Sequence, residues 1–147
     1  YMIEVTLKNA KNQVLDRITT TFQVGITSGE ILQMDVTPQY FEIGDTINTF
    51  VRFENTGSIN LSGTLHIKVY DPMGSLVQDY EKSFTDVAPG GIIDYDAAWD
   101  TIGAERGDYG IVGYALYQGK SSEAKQIIIS TDLPGVYYLP LILLNAE

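Results

Sequence analysis

The chain has 147 residues, 44% of them hydrophobic and 19% charged, so it can bury one core of ordinary size and is not a disordered polyelectrolyte. Lys plus Arg number 9 against 19 Asp plus Glu, a net charge of −10 that repels a phosphate backbone and sets nucleic-acid partners aside. No Cys is present, which excludes disulfides, thiolate metal sites and a Cys nucleophile, and the single His excludes multi-His centres.

No window carries the i, i+3, i+4, i+7 spacing of an amphipathic helix without interruption by Gly, Pro or β-branched runs. Short alternating runs separated by turn residues predict an all-β chain instead. Tyr1 to Val24 predicts a hairpin: Tyr1, Ile3, Val5 and Leu7 alternate, Asn9 to Asn12 turn, and Ile18, Thr20, Phe22 and Val24 alternate back. Two strands alone are marginal in water. The segment Tyr1-Met2-Ile3-Glu4-Val5 also lines up with Tyr109-Gly110-Ile111-Val112-Gly113, so residues 1–25 are expected to be the last two strands of a preceding domain, joined by Gly25 to Glu30.

A main domain is expected over residues 26–131. Ile31 to Thr37 is a strand ended by Pro38, which predicts an edge strand that switches sheets. Thr46 to Asn55 puts Ile47, Thr49, Val51 and Phe53 on one face. Thr64 to Tyr70 turns Leu65, Ile67 and Val69 inward, with His66 and Lys68 outward. Asp71-Pro72-Met73-Gly74 suits a type I turn and a hairpin to Leu76–Phe84. After the reversal Ala88-Pro89-Gly90-Gly91, the residues Ile93, Tyr95, Ala97 and Trp99 line a face opposite Asp94, Asp96 and Asp100. Tyr109 to Tyr117 and Glu123 to Ser130 complete about seven or eight antiparallel strands.

Residues 132–147 form an apolar tail. Its run from Val136 to Leu144 is about half the ~20 residues of a spanning helix. As a strand it is apolar on both faces, with Tyr137, Leu139, Leu141 and Leu143 along one of them. Burying five large side chains there yields roughly 8–15 kcal/mol gross, and ordering the backbone costs roughly 9–18 kcal/mol. The tail therefore needs ladder hydrogen bonds from a sheet edge, in its own chain or in a copy of it. Pairing with the N-terminal hairpin would give a monomer in cis and a head-to-tail fibre in trans.

The turn Gly44-Asp45-Thr46, the strand end Phe53-Glu54-Asn55-Thr56-Gly57, Ala88-Pro89-Gly90-Gly91, Trp99-Asp100-Thr101 and Gly107-Asp108-Tyr109 resemble the immunoglobulin-like modules of bacterial and archaeal surface proteins, in particular the CARDB-like group. The resemblance covers about residues 31–131 and implies an extracellular or cell-envelope location. Such modules serve as spacers, adhesion units and carbohydrate-binding domains, so fold alone does not name the role.

Few constellations carry chemistry. Asp94, Asp96 and Asp100 project from one strand face and are the candidate ligands for a hard cation such as Ca²⁺, against the plainer reading of a solvated strand face. The EF-hand pattern is not met, since Ala98 stands where a ligand is needed. His66 sits mid-strand with no Gly-x-Ser-x-Gly elbow, which argues against a nucleophile–base pair. Val112, Tyr114 and Leu116 face outward together and need a cover, for which protein packing is favoured over a stacked sugar because aliphatics flank the Tyr. Tyr109 stands where sandwich folds keep a corner Tyr, and Trp99 reads as core. Asn60-Leu61-Ser62 matches the glycosylation acceptor pattern at Asn60.

The sequence thus predicts an antiparallel immunoglobulin-like β-sandwich with an N-terminal hairpin and a C-terminal strand, no enzyme and no required cofactor. The function it supports is a structural or adhesive module whose partners are neighbouring domains or its own copies. The alternative is a carbohydrate-binding module attached to a secreted enzyme.

Overall fold

A computed structural model describes residues 2–22 and 24–132. The described residues contain no helix. In chain order the strands are β1 (Met2–Lys8), β2 (Val14–Thr21), β3 (Glu30–Thr37), β4 (Thr46–Glu54), β5 (Leu61–Tyr70), β6 (Leu76–Val87), β7 (Ile92–Asp100), β8 (Asp108–Tyr117), β9 (Lys120–Ser121) and β10 (Lys125–Ser130). β1 and β2 form a two-stranded sheet of their own. The order β3-β4-β7 makes a second sheet and β10-β8-β5-β6 a third, with the short β9 added on β8.

All the strand pairs are antiparallel. The second and third sheets face one another across the core, because alternate residues of each strand are apolar and must be covered. Ile47, Val51 and Phe53 of β4 meet Leu65, Ile67 and Val69 of β5 and Ile111 and Ala115 of β8, all of them buried. Trp99 and Tyr109 pack with Phe41 in the core, their rings 5.0–6.1 Å apart. The Tyr109 hydroxyl accepts from the Glu105 N–H at 2.9 Å and donates to the Glu105 carbonyl at 3.0 Å, the corner expected from its position after Gly107-Asp108.

The change of sheet at Pro38 is present. β3 lies at the edge of its sheet on β4, and beyond the cis Thr37-Pro38 bond Tyr40 bridges to Ser130 at the end of β10. The Phe41 N–H donates to the Ser130 carbonyl, and the Ser130 N–H to the Gln39 carbonyl. The Asp71–Gly74 turn also forms: the Gly74 N–H donates to the Asp71 carbonyl, and Gly74 takes the left-handed φ of 82° that favours glycine there.

Two strands run longer than their alternation suggests. β5 starts at Leu61 rather than Thr64, because the Asn55 amide group donates to the Ile59 and Val87 carbonyls and ties the preceding loop to the end of β6. β6 runs past Phe84 to Val87 through an irregular register in which Asp86 takes a φ of 51°. The tail residues Tyr137, Leu139, Leu141 and Leu143 lie outside the described residues.

Candidate functional site

The chemistry-bearing side chains gather on the outer face of the sheet β10-β8-β5-β6. Turning Leu65, Ile67 and Val69 inward leaves His66 and Lys68 outward. The register places His66 between Tyr114 of β8 and Glu81 of β6, and Lys68 between Val112 and Asp79. Cross-strand neighbours on one face are close enough for their side chains to touch.

Contact follows. The His66 imidazole stacks on the Tyr114 ring, nearly parallel, with centroids 5.0 Å apart. Its Nδ1 lies 3.2 Å from Asp79 Oδ1 and 3.5 Å from Glu81 Oε1. Lys68 Nζ takes the other Asp79 oxygen at 3.2 Å and sits 5.7 Å from the centre of the Tyr114 ring. Tyr114, and after it Asp79, raise the Lys68 ammonium above its ordinary value. His66 is only 8% exposed although it is on the outer side, because Tyr114 and the acids cover it. Glu81 is tied from below as well, since the Tyr95 hydroxyl of the facing sheet donates to its carbonyl at 3.2 Å.

Val112, Tyr114 and Leu116 do face outward, with the first two half-buried and Leu116 exposed. Tyr114 finds its cover within its own sheet, in His66 and Lys68. Sequence reasoning treated these residues one strand at a time and missed the convergence of His66, Asp79 and Glu81. Alternation along β5 gives His66 its outward direction, but only the register between β5 and β6 brings Asp79 and Glu81 beside it.

Asp94, Asp96 and Asp100 share the exposed face of β7 but are not brought together. Arg52, opposite Asp94 in the register, grips that carboxylate with two hydrogen bonds of 2.7 Å. The Arg52 hydrogen bonds hold the Asp94 carboxyl below its ordinary value. Asp100 Oδ1 accepts from the Ile102 N–H at 2.9 Å. Among the described residues, the His and acid ligand atoms that lie within 4.8 Å of one another are those of His66, Asp79 and Glu81. Asn60 is exposed just ahead of β5, and the hydroxyl of Ser62 in the same triplet accepts from the Asp86 N–H at 3.0 Å.

No family profile and no curated protein matches this chain in sequence. Solved structures match it in fold. One is the CARDB domain of a Pyrococcus furiosus protein in complex with di-metal ions, 16% identical with a TM-score of 0.51, covering 76% of this chain and 96% of that domain. A Paenibacillus cycloisomaltooligosaccharide glucanotransferase matches at 19% identity and a TM-score of 0.54 over 73% of this chain. An Erythrobacter marinus β-glucosidase matches at 13% identity and a TM-score of 0.53 over 71% of it. The chain spans about 15% of the length of each of these two enzymes. Likeness at such identities speaks for architecture alone, and with the sheet order described above it shows a CARDB-like, immunoglobulin-like β-sandwich.

Proposed function

We propose that this chain is a non-enzymatic structural or adhesive module of an extracellular or cell-surface protein, joining neighbouring domains or copies of itself through its apolar ends. The observation that carries this reading is the β1–β2 hairpin. Ile3, Val5, Leu7 and Ile18, 48–63% exposed, share one of its faces with Asp16 and Thr20, while Met2, Glu4, Thr6, Arg17, Thr19 and Thr21 occupy the other. An amphipathic two-stranded ribbon with an exposed apolar face needs a protein surface against it. The tail from Val136 to Leu144, apolar at nearly every position, has the composition of a strand that adds to such an edge.

Sedimentation of the chain with and without residues 136–147 tests self-assembly. Assembly that rises with concentration and is lost on truncation is the expected result. A chain that stays monomeric and is unaffected by truncation removes copies of itself as partners.

A second reading, a carbohydrate-binding module attached to a secreted enzyme, is favoured by the part of the Tyr114 ring that His66 and Lys68 leave exposed, on a sheet face that also carries Gln126. Two of the fold relatives named above act on sugars according to their names, which is consistent with such an attachment. A glycan array with Tyr114→Ala as the control decides it: a glycan retained by the parent and lost by the variant supports sugar binding, and none retained at millimolar affinity removes it.

A further inference from the structure

The outer face of the sheet holds more negative charge around His66 than its imidazole can satisfy. A ring nitrogen carries at most one proton, and Nδ1 faces two carboxylate oxygens, at 3.2 Å and 3.5 Å. Asp79 and Glu81, two residues apart on β6, are like charges turned to the same point rather than splayed into solvent. The Lys68 ammonium takes the far oxygen of Asp79 and leaves Oδ1 turned toward the ring.

The Asp79 contact is a hydrogen bond as it stands, and the same separations also suit a metal ion. Zinc bonds of about 2.0–2.1 Å arranged tetrahedrally hold their donor atoms roughly 3.3–3.4 Å apart. Two edges of such a tetrahedron are already present, and the remaining Asp79–Glu81 edge lies within 4.8 Å. The Glu81 side chain is 59% exposed and free to swing by the small amount needed. The ring plane of His66 is set by the Tyr114 stack, and the Asp79 carboxylate is held at its far oxygen by Lys68, so two of the three donors are oriented before any ion arrives.

We propose that His66 Nδ1, Asp79 Oδ1 and Glu81 Oε1 form a binding site for a divalent transition-metal ion of the zinc class, with a fourth position open to water. One nitrogen and two carboxylate donors favour Zn²⁺ or Co²⁺ over Ca²⁺, which takes six to eight oxygens. The site is separate from the acidic face of β7 and does not rest on the adhesive reading, while it shares Tyr114 and Lys68 with the sugar-binding one.

The test is calorimetric titration of the full chain, freed of metal, with Zn²⁺, alongside visible spectra with Co²⁺. The expected result is one ion per chain, tetrahedral d–d bands with Co²⁺, and a higher Tm with Zn²⁺. Glu81→Gln changes an exposed side chain, so it keeps the fold, and is expected to weaken binding by at least about tenfold, the scale on which even supporting groups of metal sites act. His66→Gln is expected to abolish the d–d bands, and Asp94→Asn, on the other sheet, to leave binding unchanged. No heat and no d–d bands with the parent chain overturn the proposal. So does binding by Glu81→Gln as tight as the parent's, which would mark diffuse attraction to a chain of net charge −10.

Discussion

Asp94 illustrates how a residue's role is decided across strands rather than along them. On β7 it belongs to an acidic face with Asp96 and Asp100, yet its partner is Arg52 on β4, gripping it with two bonds. The arginine favours the ionised carboxylate, so the folded value lies below the ordinary 3.8. A depressed carboxyl contributes stability that is fully present above its unfolded value and is lost as pH falls through the folded one. Tm measured against pH for the parent and Asp94→Asn is expected to differ at neutral pH and to converge in acid below about 4. A gap that stays constant into acid would show that the ion pair has no stabilising part. Tyr109 and Trp99 were legible from sequence because their roles follow from local position, one after a Gly-Asp turn and one in an alternating apolar row. The partners of Asp94 and His66 were not, since both lie on other strands.

At the scale of strands, register decides which side chains meet. The β5–β6 hairpin begins from the expected turn, with Tyr70 opposite Leu76, but Val69 pairs with Gln78, so Val77 is an extra residue in β6. That bulge moves Glu81 opposite His66, where an even count from the turn would have put Tyr80. Alternation therefore predicted which residues face outward on β5, and the bulge, which no pattern in the sequence announces, fixed what they face on β6. A second irregularity lies between Leu61 and Gly63. A Cβ added to Gly63 would come within 2.1 Å of the Leu116 carbonyl on β8 and 3.0 Å of Phe84. Since the obstacle is backbone, Gly63→Ala is expected to destabilise the fold by about 2 kcal/mol or more, measured by chemical denaturation. A loss below about 0.5 kcal/mol, as at an ordinary surface site, would mean that β5 and β8 approach less closely there.

Across the whole molecule, the sandwich was readable because each core strand announces its buried face by alternation, as in Ile47, Val51 and Phe53. The hairpin was readable for the same reason, but its companion was not, since an apolar face specifies that something covers it and not what. The segment between hairpin and sandwich carries its own organisation. The Tyr117 hydroxyl accepts from the Gly29 N–H at 3.0 Å and donates to the Gly29 carbonyl at 3.1 Å. Ser58 and Gly57 donate their N–H groups to Ile26 and Ser28, and Lys120 Nζ reaches the Thr27 carbonyl. Hydrogen exchange is expected to show Gly29 protected in the parent chain and exchanging faster in Tyr117→Phe, with the β5 and β8 amides unchanged. Equal exchange in both would mean that the hydroxyl does not hold the segment. With Tyr117 closing one end of β8 as Tyr109 closes the other, Ile26 to Gly29 behave as a welded joint rather than a swivel. Pull applied at Ile26 would load the sandwich directly, through Ser58, Gly57 and Tyr117, rather than first unwinding a slack tether.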